Sequence, residues 1–204
     1  YKLSNGVAAP ITTFTERNKR VNSVYGTATL SYANKIFLDV TGRNDWSSTL
    51  PSGNNSFFYP SVSTSFILSD LLRLPEQISF AKLRASWAQV GNDTDPYKTA
   101  KYYNPSAFPG SASVSPTLYN ARFKPEISNS IEVGLDWRMF KQRFGLDLAF
   151  YNNITRNQIL DVPMDQTTGY TKATMNSGKV RNRGIELQLD GTPVKTKNFT
   201  WNST

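Results

Sequence analysis

The sequence of 204 residues predicts an all-β fold, namely a partial segment, of about eight strands, of an antiparallel up-and-down transmembrane β-barrel. The first observation is that the connectors between strand-like segments alternate between short and long. Three residues follow the first strand and about ten follow the second, while Lys141-Gln142 precedes a connector of roughly twenty. Transmembrane barrels have this rhythm because tight periplasmic turns alternate with large outer loops.

The second observation is a period of two within the strand-like segments. In residues 131–139 the odd positions are apolar, whereas the even positions are Glu132, Gly134, Asp136 and Arg138. This alternation is typical of strands with one apolar and one polar face. A barrel turns the apolar face to lipid, but a sandwich buries it between two sheets. A soluble all-β carbohydrate-binding module is therefore the alternative, and the connector rhythm favours the barrel.

The amino-acid composition disfavours several classes of function. The chain has no Cys and no His, which removes thiolate ligands, the commonest metal ligand and the usual general base. We therefore expect no catalytic residues, metal site or cofactor, and an outer-membrane enzyme is the least favoured hypothesis. The net charge of +8 comes without a basic helix or RNA-binding motif, so nucleic acid is not an expected partner. Aromatic residues make up 13% and many lie near strand ends, as in the aromatic girdles of barrels.

Four strands are predicted in the first half of the chain, over residues 19–32, 35–45, 58–68 and 78–90. The first two form a hairpin in which Tyr32 pairs with Ile36, so that the apolar faces match. Asn34 in the link tolerates the positive φ that such a turn uses. After the third strand, the segment from Ser69 to Pro75 predicts a short capped helical turn that the proline ends.

A long excursion over residues 91–125 contains five prolines and four tyrosines. It is too long to be a mere connector, so we expect it to fold over other parts of the molecule. Its tyrosines could stack on sugar rings or pack on peptide, because their faces are apolar and their hydroxyls form hydrogen bonds. Alternatively they only pack the loop. The candidate substrate-binding residues are Tyr97, Tyr102, Tyr103 and Tyr119.

The clearest predicted hairpin joins residues 131–139 to a strand that starts at Phe144 and extends to about Asn157. Pairing Leu135 with Leu148 brings the apolar residues at 133, 135, 137 and 139 of the first strand against apolar residues of the second. The same register places Asp136 opposite Asp147, and directly opposed like charges are destabilising. The two carboxylates indicate either a patch of salt bridges, completed by Arg138 or Arg84, or a cation site in a water-filled interior.

The seventh strand follows a predicted loop over residues 158–177 and is less regular. The face of Ile185, Leu187 and Leu189 continues to Lys179, Arg181 and Arg183, and charges on the lipid side are costly at mid-membrane. Either a β-bulge near Gly184 turns Val180 outward, or these charges lie above the membrane. The assignment of residues 178–184 to a face stays open at this point. A further strand is expected to start near residue 199.

The polar faces of these strands are expected to line the interior of the barrel. The residues predicted to face the lumen are Asp39, Arg43, Lys82, Arg84, Glu132, Asp136, Asp147, Glu186 and Gln188.

Several motifs, taken in order, resemble the SusC/RagA family of TonB-linked outer-membrane transporters. Lys124-Pro125-Glu126 and the strand that follows are similar to that family's "KPE…EIGLD" strand, and residues 156–163 are similar to its strand ending in "LLDVP". Residues 176–187 resemble its "N-x-G-x-V-x-N-x-G-[IV]-E" strand. Residues 43–48 resemble "R-x-D-[GW]-S-S", and residues 83–92 resemble "LRASYGxxGN", with Trp87 and Ala88 as mild departures.

The resemblance implies a 22-stranded barrel with an internal plug in the outer membrane of a Gram-negative bacterium. Such proteins import oligosaccharides or peptides with a SusD-like surface lipoprotein and energy from TonB. We expect residues 1–204 to be part of that barrel, with the plug domain, the TonB box and the remaining strands in other parts of a longer protein. The resemblance names neither the substrate nor the lid protein.

Overall fold

The computed structural model describes residues 16–105 and 110–204 and consists almost entirely of β-strands. The elements in chain order are β1 (Val21–Tyr32), β2 (Ile36–Ser47), β3 (Ser56–Ile67), α1 (Leu68–Leu71), β4 (Ile78–Asn92), β5 (Tyr103–Pro105), β6 (Ala112–Val114), β7 (Thr117–Leu118), β8 (Glu126–Met139), β9 (Phe144–Pro163), β10 (Lys172–Lys195) and β11 (Thr200–Ser203). No helix in the described residues is long and apolar enough to span a membrane.

Eight strands form one meander in the order β1-β2-β3-β4-β8-β9-β10-β11, and every neighbouring pair on this path is antiparallel. The sheet does not close on itself within the described residues. Two short additions come from the long excursion: β7 pairs in parallel with the start of β10, and β5 and β6 form a separate hairpin. The predicted all-β class and the antiparallel up-and-down order of about eight strands are confirmed.

The short connectors all lie at one end of the sheet. In the first hairpin Tyr32 pairs with Ile36, as the matching of apolar faces predicts. Both Ala33 and Asn34 adopt a positive φ, of 51° and 56°. The second predicted register is also confirmed, since Leu135 pairs with Leu148. That turn uses three consecutive left-handed residues, 140–142, none of which is glycine.

The opposite end of the sheet departs from the sequence prediction in one respect. The prediction of a loop over residues 158–177 is wrong, because β9 continues to Pro163 and pairs with β10 from Lys172 onward. The connector is therefore residues 164–171, which include a 3₁₀ turn at Gln166–Thr168. Apolar alternation fades in this stretch, but the backbone ladder continues. The side chains of Lys172 and Thr174 donate hydrogen bonds to Asp161 across the pair.

Two smaller predictions also need correction. The helical turn α1 begins at Leu68, and no side chain caps its first turn, so Ser69 is not a cap. The register of β9 and β10 is regular through Gly184 and shifts only around Gly178. The alternative of a bulge near Gly184 is therefore wrong. Lys179, Arg181 and Arg183 share the face of Ile185.

The apolar face of the sheet is uncovered. A row of directly opposed residues on this face runs through Tyr32, Ile36, Phe66, Leu83, Leu135, Leu148 and Leu187. Leu187 is 60% exposed, Leu148 is 38% exposed and Leu135 is half-buried. Packing contacts in the described residues follow the sheet path and add no second layer over it. A soluble sandwich needs this face buried, so the carbohydrate-binding module is not favoured.

Candidate functional site

The polar face of the sheet carries a network of ion pairs centred on Arg84. Its guanidinium donates two hydrogen bonds to the carboxylate of Asp147, at 2.8 and 3.0 Å, and its Nε lies 3.7 Å from Glu132 Oε1. Arg84 is on β4 and Asp147 is on β9, so the pair reaches across β8. It can do so because Gly134, the residue of β8 beside Arg84, has no side chain: a Cβ there would overlap the guanidinium.

The opposed carboxylates of Asp136 and Asp147 are each neutralised by a different arginine. Asp147 is bound by Arg84, and Arg138 Nε lies 3.2 Å from Asp136 Oδ1. Arg138 also approaches Asp190 on β10, at 3.8 Å. The interpretation as a patch of salt bridges is confirmed. Among the described residues there is no group of three or more carboxylates arranged to hold a metal ion.

A second polar cluster lies at the long-loop end of the same face. Arg43 Nε donates to Asp45 Oδ1 at 2.8 Å, and Arg43 Nη2 donates to Ser23 Oγ at 2.9 Å. The hydroxyl of Tyr59 donates to the other oxygen of Asp45, and the Arg43 guanidinium lies 5.8 Å from the centre of the Tyr59 ring. Sequence reasoning named Arg43 but missed Asp45, which is only 6% exposed.

The residues predicted to face the lumen all share one face of the sheet. Asp39 accepts a hydrogen bond from Thr29 Oγ1 at 2.7 Å, and its row crosses the sheet to Glu132. Glu132 and Glu186 line a polar groove of about 450 Å³ on β8, β9 and β10. The registers of the strand pairs add Arg43, Lys82, Arg84, Asp136, Asp147 and Gln188 to the same face.

Three of the four candidate tyrosines line one cavity at the long-loop end. The cavity has a volume of about 600 Å³ and includes Tyr97, Tyr102 and Tyr119. The rings of Tyr102 and Tyr119 stack with centroids 5.5 Å apart, and their hydroxyls are 3.0 Å apart. That hydrogen bond raises the pKa of Tyr102 above its ordinary value. Tyr103 lies on β5, is 65% exposed and does not line the cavity.

Charged groups of both signs surround these rings. Glu16, Arg17, Asp95 and Lys98 contribute to the wall. Lys98 Nζ lies 3.1 Å from Asp95 Oδ2, and its hydrogen bond lowers the pKa of Asp95. An apolar surface of stacked rings with a mixed-charge rim suits an uncharged or zwitterionic ligand better than a polyanion.

The long excursion, which in the structure starts after β4 and is residues 93–125, is tied to the sheet at both of its ends. At its start, Asp93 accepts hydrogen bonds from Lys19 Nζ and Ser47 Oγ, both at 2.5 Å. At its end, Asn176 on β10 binds the backbone of Lys124 in both directions, at 3.0 and 2.8 Å. The expectation that this segment folds over other elements is confirmed, since Phe123 is completely buried. Asn176 belongs to a sequence motif noted above, but its role was not predicted.

Comparison with known proteins identifies the family of this fold. Residues 2–204 match the family model described as TonB dependent receptor-like, beta-barrel. The chain belongs to that family. The predicted resemblance is confirmed, and as a TonB-dependent receptor barrel segment the chain crosses the outer membrane with its strands.

Relatives of this TonB-dependent receptor segment are similar over nearly its whole length. It is 32% identical over 193 residues to TonB-dependent receptor P26 of Formosa agariphila, which covers 91% of this chain and 20% of the relative. It is 25% identical over 203 residues to TonB-dependent receptor SusC of Bacteroides thetaiotaomicron, which covers 93% of this chain and 20% of SusC. The chain thus spans about a fifth of the length of these relatives.

Solved structures agree with this assignment. A structure of the RagAB peptide transporter superposes with a TM-score of 0.80 at 25% identity, over 90% of this chain and 21% of that one. The siderophore receptor PirA from Pseudomonas aeruginosa superposes with a TM-score of 0.61 at 17% identity, over 90% of this chain and 33% of that chain, a likeness of fold alone. The family consists of receptors and transporters.

Proposed function

We propose that this segment forms part of the wall of an outer-membrane transporter that imports peptides or oligosaccharides with energy from TonB. The observation that carries the proposal is the contrast between the two faces of one meander. One face is apolar and uncovered, and the other holds the ion pairs around Arg84. In this arrangement the polar face lines the interior and meets the plug and the passing solute.

The remaining parts of the machine belong to the same proposal. We assign residues 1–204 to the barrel, and the plug, the TonB box and the other strands to the rest of the protein. A SusD-like surface lipoprotein is the proposed lid over the long-loop end. The wall segment itself needs no catalytic group, because import by this route depends on binding and on a change of conformation.

Tyr97, Tyr102 and Tyr119 are the proposed substrate contacts in this segment. Their cavity of about 600 Å³ is large enough for one or two sugar rings or amino-acid residues. A peptide is the better candidate, because a zwitterion suits the mixed charges of Arg17 and Asp95 and because RagAB is described as a peptide importer. An oligosaccharide could stack on the same rings and is the second candidate.

Uptake by the full-length transporter tests this proposal. A strain lacking the gene is complemented with the wild-type gene, and entry of labelled peptides and labelled oligosaccharides is measured with and without an uncoupler of TonB. We expect uptake of one class to require both the gene and the energy source. If the deletion strain took up both classes as fast as the complemented strain, that result would contradict the transport function.

The tyrosine assignment has its own matched comparison. Tyr102→Ala with Tyr119→Ala removes the stacked pair, whereas Tyr103→Ala removes an exposed ring of the same loop that lies outside the cavity. We expect the double variant to lose roughly tenfold in apparent affinity, since one ring stack contributes about 1 kcal/mol or more. If both variants import like wild type, the tyrosines only pack the loop while the transport function stands.

A further inference from the structure

Four cationic side chains lie together on the outward, lipid-side face of β9 and β10. Arg156 pairs directly with Lys179, and Arg181 and Arg183 follow on β10 at every second position. Residues two apart on a strand share a face, and the register is regular from Lys179 to Ile185. We call these four residues the basic strip.

The charges of the basic strip are not neutralised by acidic side chains. Within residues 16–105 and 110–204, none of the four cations has a carboxylate oxygen within 4.0 Å. The hydrogen bond from Arg181 Nε to Asn152 Oδ1, at 2.7 Å, orients one guanidinium without changing its charge. All four side chains are exposed. On the same face, the hydrogen-bonded pair Asn44 and Ser56 near the long-loop end is neutral.

The register of the strands places the basic strip at the upper edge of the apolar band. Val40 and Arg183 lie in one row of directly opposed residues across the sheet. Val40 is four residues from the short-turn end of β2, whereas Arg183 is twelve residues from the short-turn end of β10. On β9 the partner of Arg183 is eight residues from the short-turn end at Phe144, and the partner of Lys179 is twelve residues from it. Strands that rise by about 3.3 Å per residue and tilt by roughly 40° therefore place the strip about 20–30 Å above the turns. The upper edge of an apolar band of about 25 Å falls within this range.

Anionic lipid head groups are the ligands that we expect at this position. The side chains point away from the barrel interior, so they meet the membrane rather than the transported solute. A row of arginine and lysine at the depth of the head groups attracts phosphate, and arginine can bind it with two parallel hydrogen bonds. We propose that the basic strip binds the phosphate groups of the phosphorylated glycolipid in the outer leaflet.

The proposed site depends on placement in the outer membrane, and it is independent of transport. The full-length transporter with its lid is purified from outer membranes in a mild detergent, and the bound phosphoglycolipid is quantified per protein by mass spectrometry. The strip variant carries Lys179→Gln, Arg181→Gln and Arg183→Gln. The control carries Lys141→Gln, Lys195→Gln and Lys197→Gln, which is the same change of charge at exposed sites near the short turns.

We expect the strip variant to lose roughly tenfold or more of the retained glycolipid, while the control retains it like wild type. In vesicles, binding is expected for the intact glycolipid and not for the same lipid after removal of its phosphates. Equal retention by wild type and strip variant overturns the proposal, as does binding that ignores dephosphorylation. If the strip variant retains its lipid in full but loses the lid protein, the proposal is also overturned. The basic strip would then be a contact surface for that protein.

Folding of the variants is checked by the shift of the folded barrel on unheated gels. If the triple variant fails this check, Arg181→Gln alone replaces it, because this arginine is held by a single hydrogen bond to Asn152. For Arg181→Gln we expect retention about fivefold below wild type, which corresponds to the loss of one cation near a charged surface. Unchanged retention by this variant counts against the proposal.

Discussion

At the scale of single residues, the most informative contact is the ion pair that crosses an entire strand. Arg84 reaches Asp147 over Gly134, and the next residue of that row, Ala149, is also small. A long side chain can lie flat on a sheet only where the residues beneath it are small. This explains a glycine within a strand, a position that otherwise costs stability.

A double-mutant cycle measures the coupling between Arg84 and Asp147. Both side chains are about one-third exposed, so solvent screens part of their attraction. We expect Arg84→Gln and Asp147→Asn to couple by about 1 kcal/mol, because two charge-assisted hydrogen bonds are lost together. The apparent unfolding temperature of the full-length protein gives the readout. Strictly additive effects would mean that the pair does not contribute to stability.

Replacing Gly134 with alanine tests whether the space above this residue is needed. The new Cβ would overlap the Arg84 guanidinium and displace it from Asp147, so we expect a loss of about 1–3 kcal/mol in unfolding free energy. Gly26→Ala is the matched control, because a Cβ at Gly26 meets no atom within 4 Å. That variant should stay within about 0.5 kcal/mol of wild type. Equal losses for both variants would contradict the role given to Gly134.

At the scale of elements, the long excursion is held to the sheet by a few hydrogen bonds from both side chains and the backbone. Asn176 binds Lys124 on both sides, and Thr171 N–H donates to Pro116 O at 2.8 Å. These contacts dock the excursion on the extensions of β9 and β10. The extended strands therefore serve as its support above the apolar band.

Asn176→Ala should loosen the excursion without unfolding the sheet. The backbone groups of Lys124 lose their partner, and since they are exposed to water the cost is about 1 kcal/mol. We expect trypsin to cleave after Arg122 about fivefold faster in this variant. Asn182→Ala on the same strand is the control. Unchanged cleavage in the Asn176 variant would show that other contacts hold the loop.

Residues 164–171 contain an acid-sensitive turn. The Asp165 carboxylate accepts the Thr167 N–H at 2.8 Å and the Thr167 Oγ1 at 2.7 Å, and these bonds, the backbone one first, lower the pKa of Asp165. Because the folded pKa is depressed, the stabilisation is complete above the ordinary carboxyl pKa of about 3.9 and is lost as pH falls through the lower folded value.

We therefore expect cleavage of this connector by pepsin to rise steeply as pH falls below about 4. Asp165→Asn keeps an oxygen that can accept the same bonds but cannot titrate, so its cleavage should follow only the pH profile of the protease. A steep rise of equal size in both proteins would assign the acid sensitivity to another group.

At the scale of the whole molecule, the two faces of the sheet have different solvents. This difference is tested by neighbouring residues of β10. Leu187→Arg places a charge on the apolar face, where a cation near mid-membrane costs about 2–4 kcal/mol. Gln188→Arg, at the next residue, places the same charge on the polar face of the sheet.

We expect Leu187→Arg to lower the amount of folded protein in the outer membrane several-fold, and Gln188→Arg to leave it near the wild-type amount. The band of folded barrel on unheated gels of outer-membrane fractions gives the measurement. If the order of the two variants is reversed, the assignment of the faces is wrong.

The sequence alone determined which side chains share a face and how the hairpins pair. Both follow from a period of two, since a slip of one residue would place Leu135 and Leu148 on opposite faces. Tertiary structure decided what lies several strands away. The bond from Arg84 to Asp147 depends on two intervening residues being small, and Asn176 acts on a backbone that is distant in sequence.

The depth of the charged residues on β10 also depended on tertiary structure. Period two left the face of Arg183 open, because a bulge near Gly184 would have turned it, and it could not show where this residue lies relative to the edge of the apolar band. That position follows from the stagger of strands across the sheet, which accumulates over five strand pairs and is not encoded in any one of them. Local alternation sets the faces, whereas the tilt of the assembled sheet sets the height.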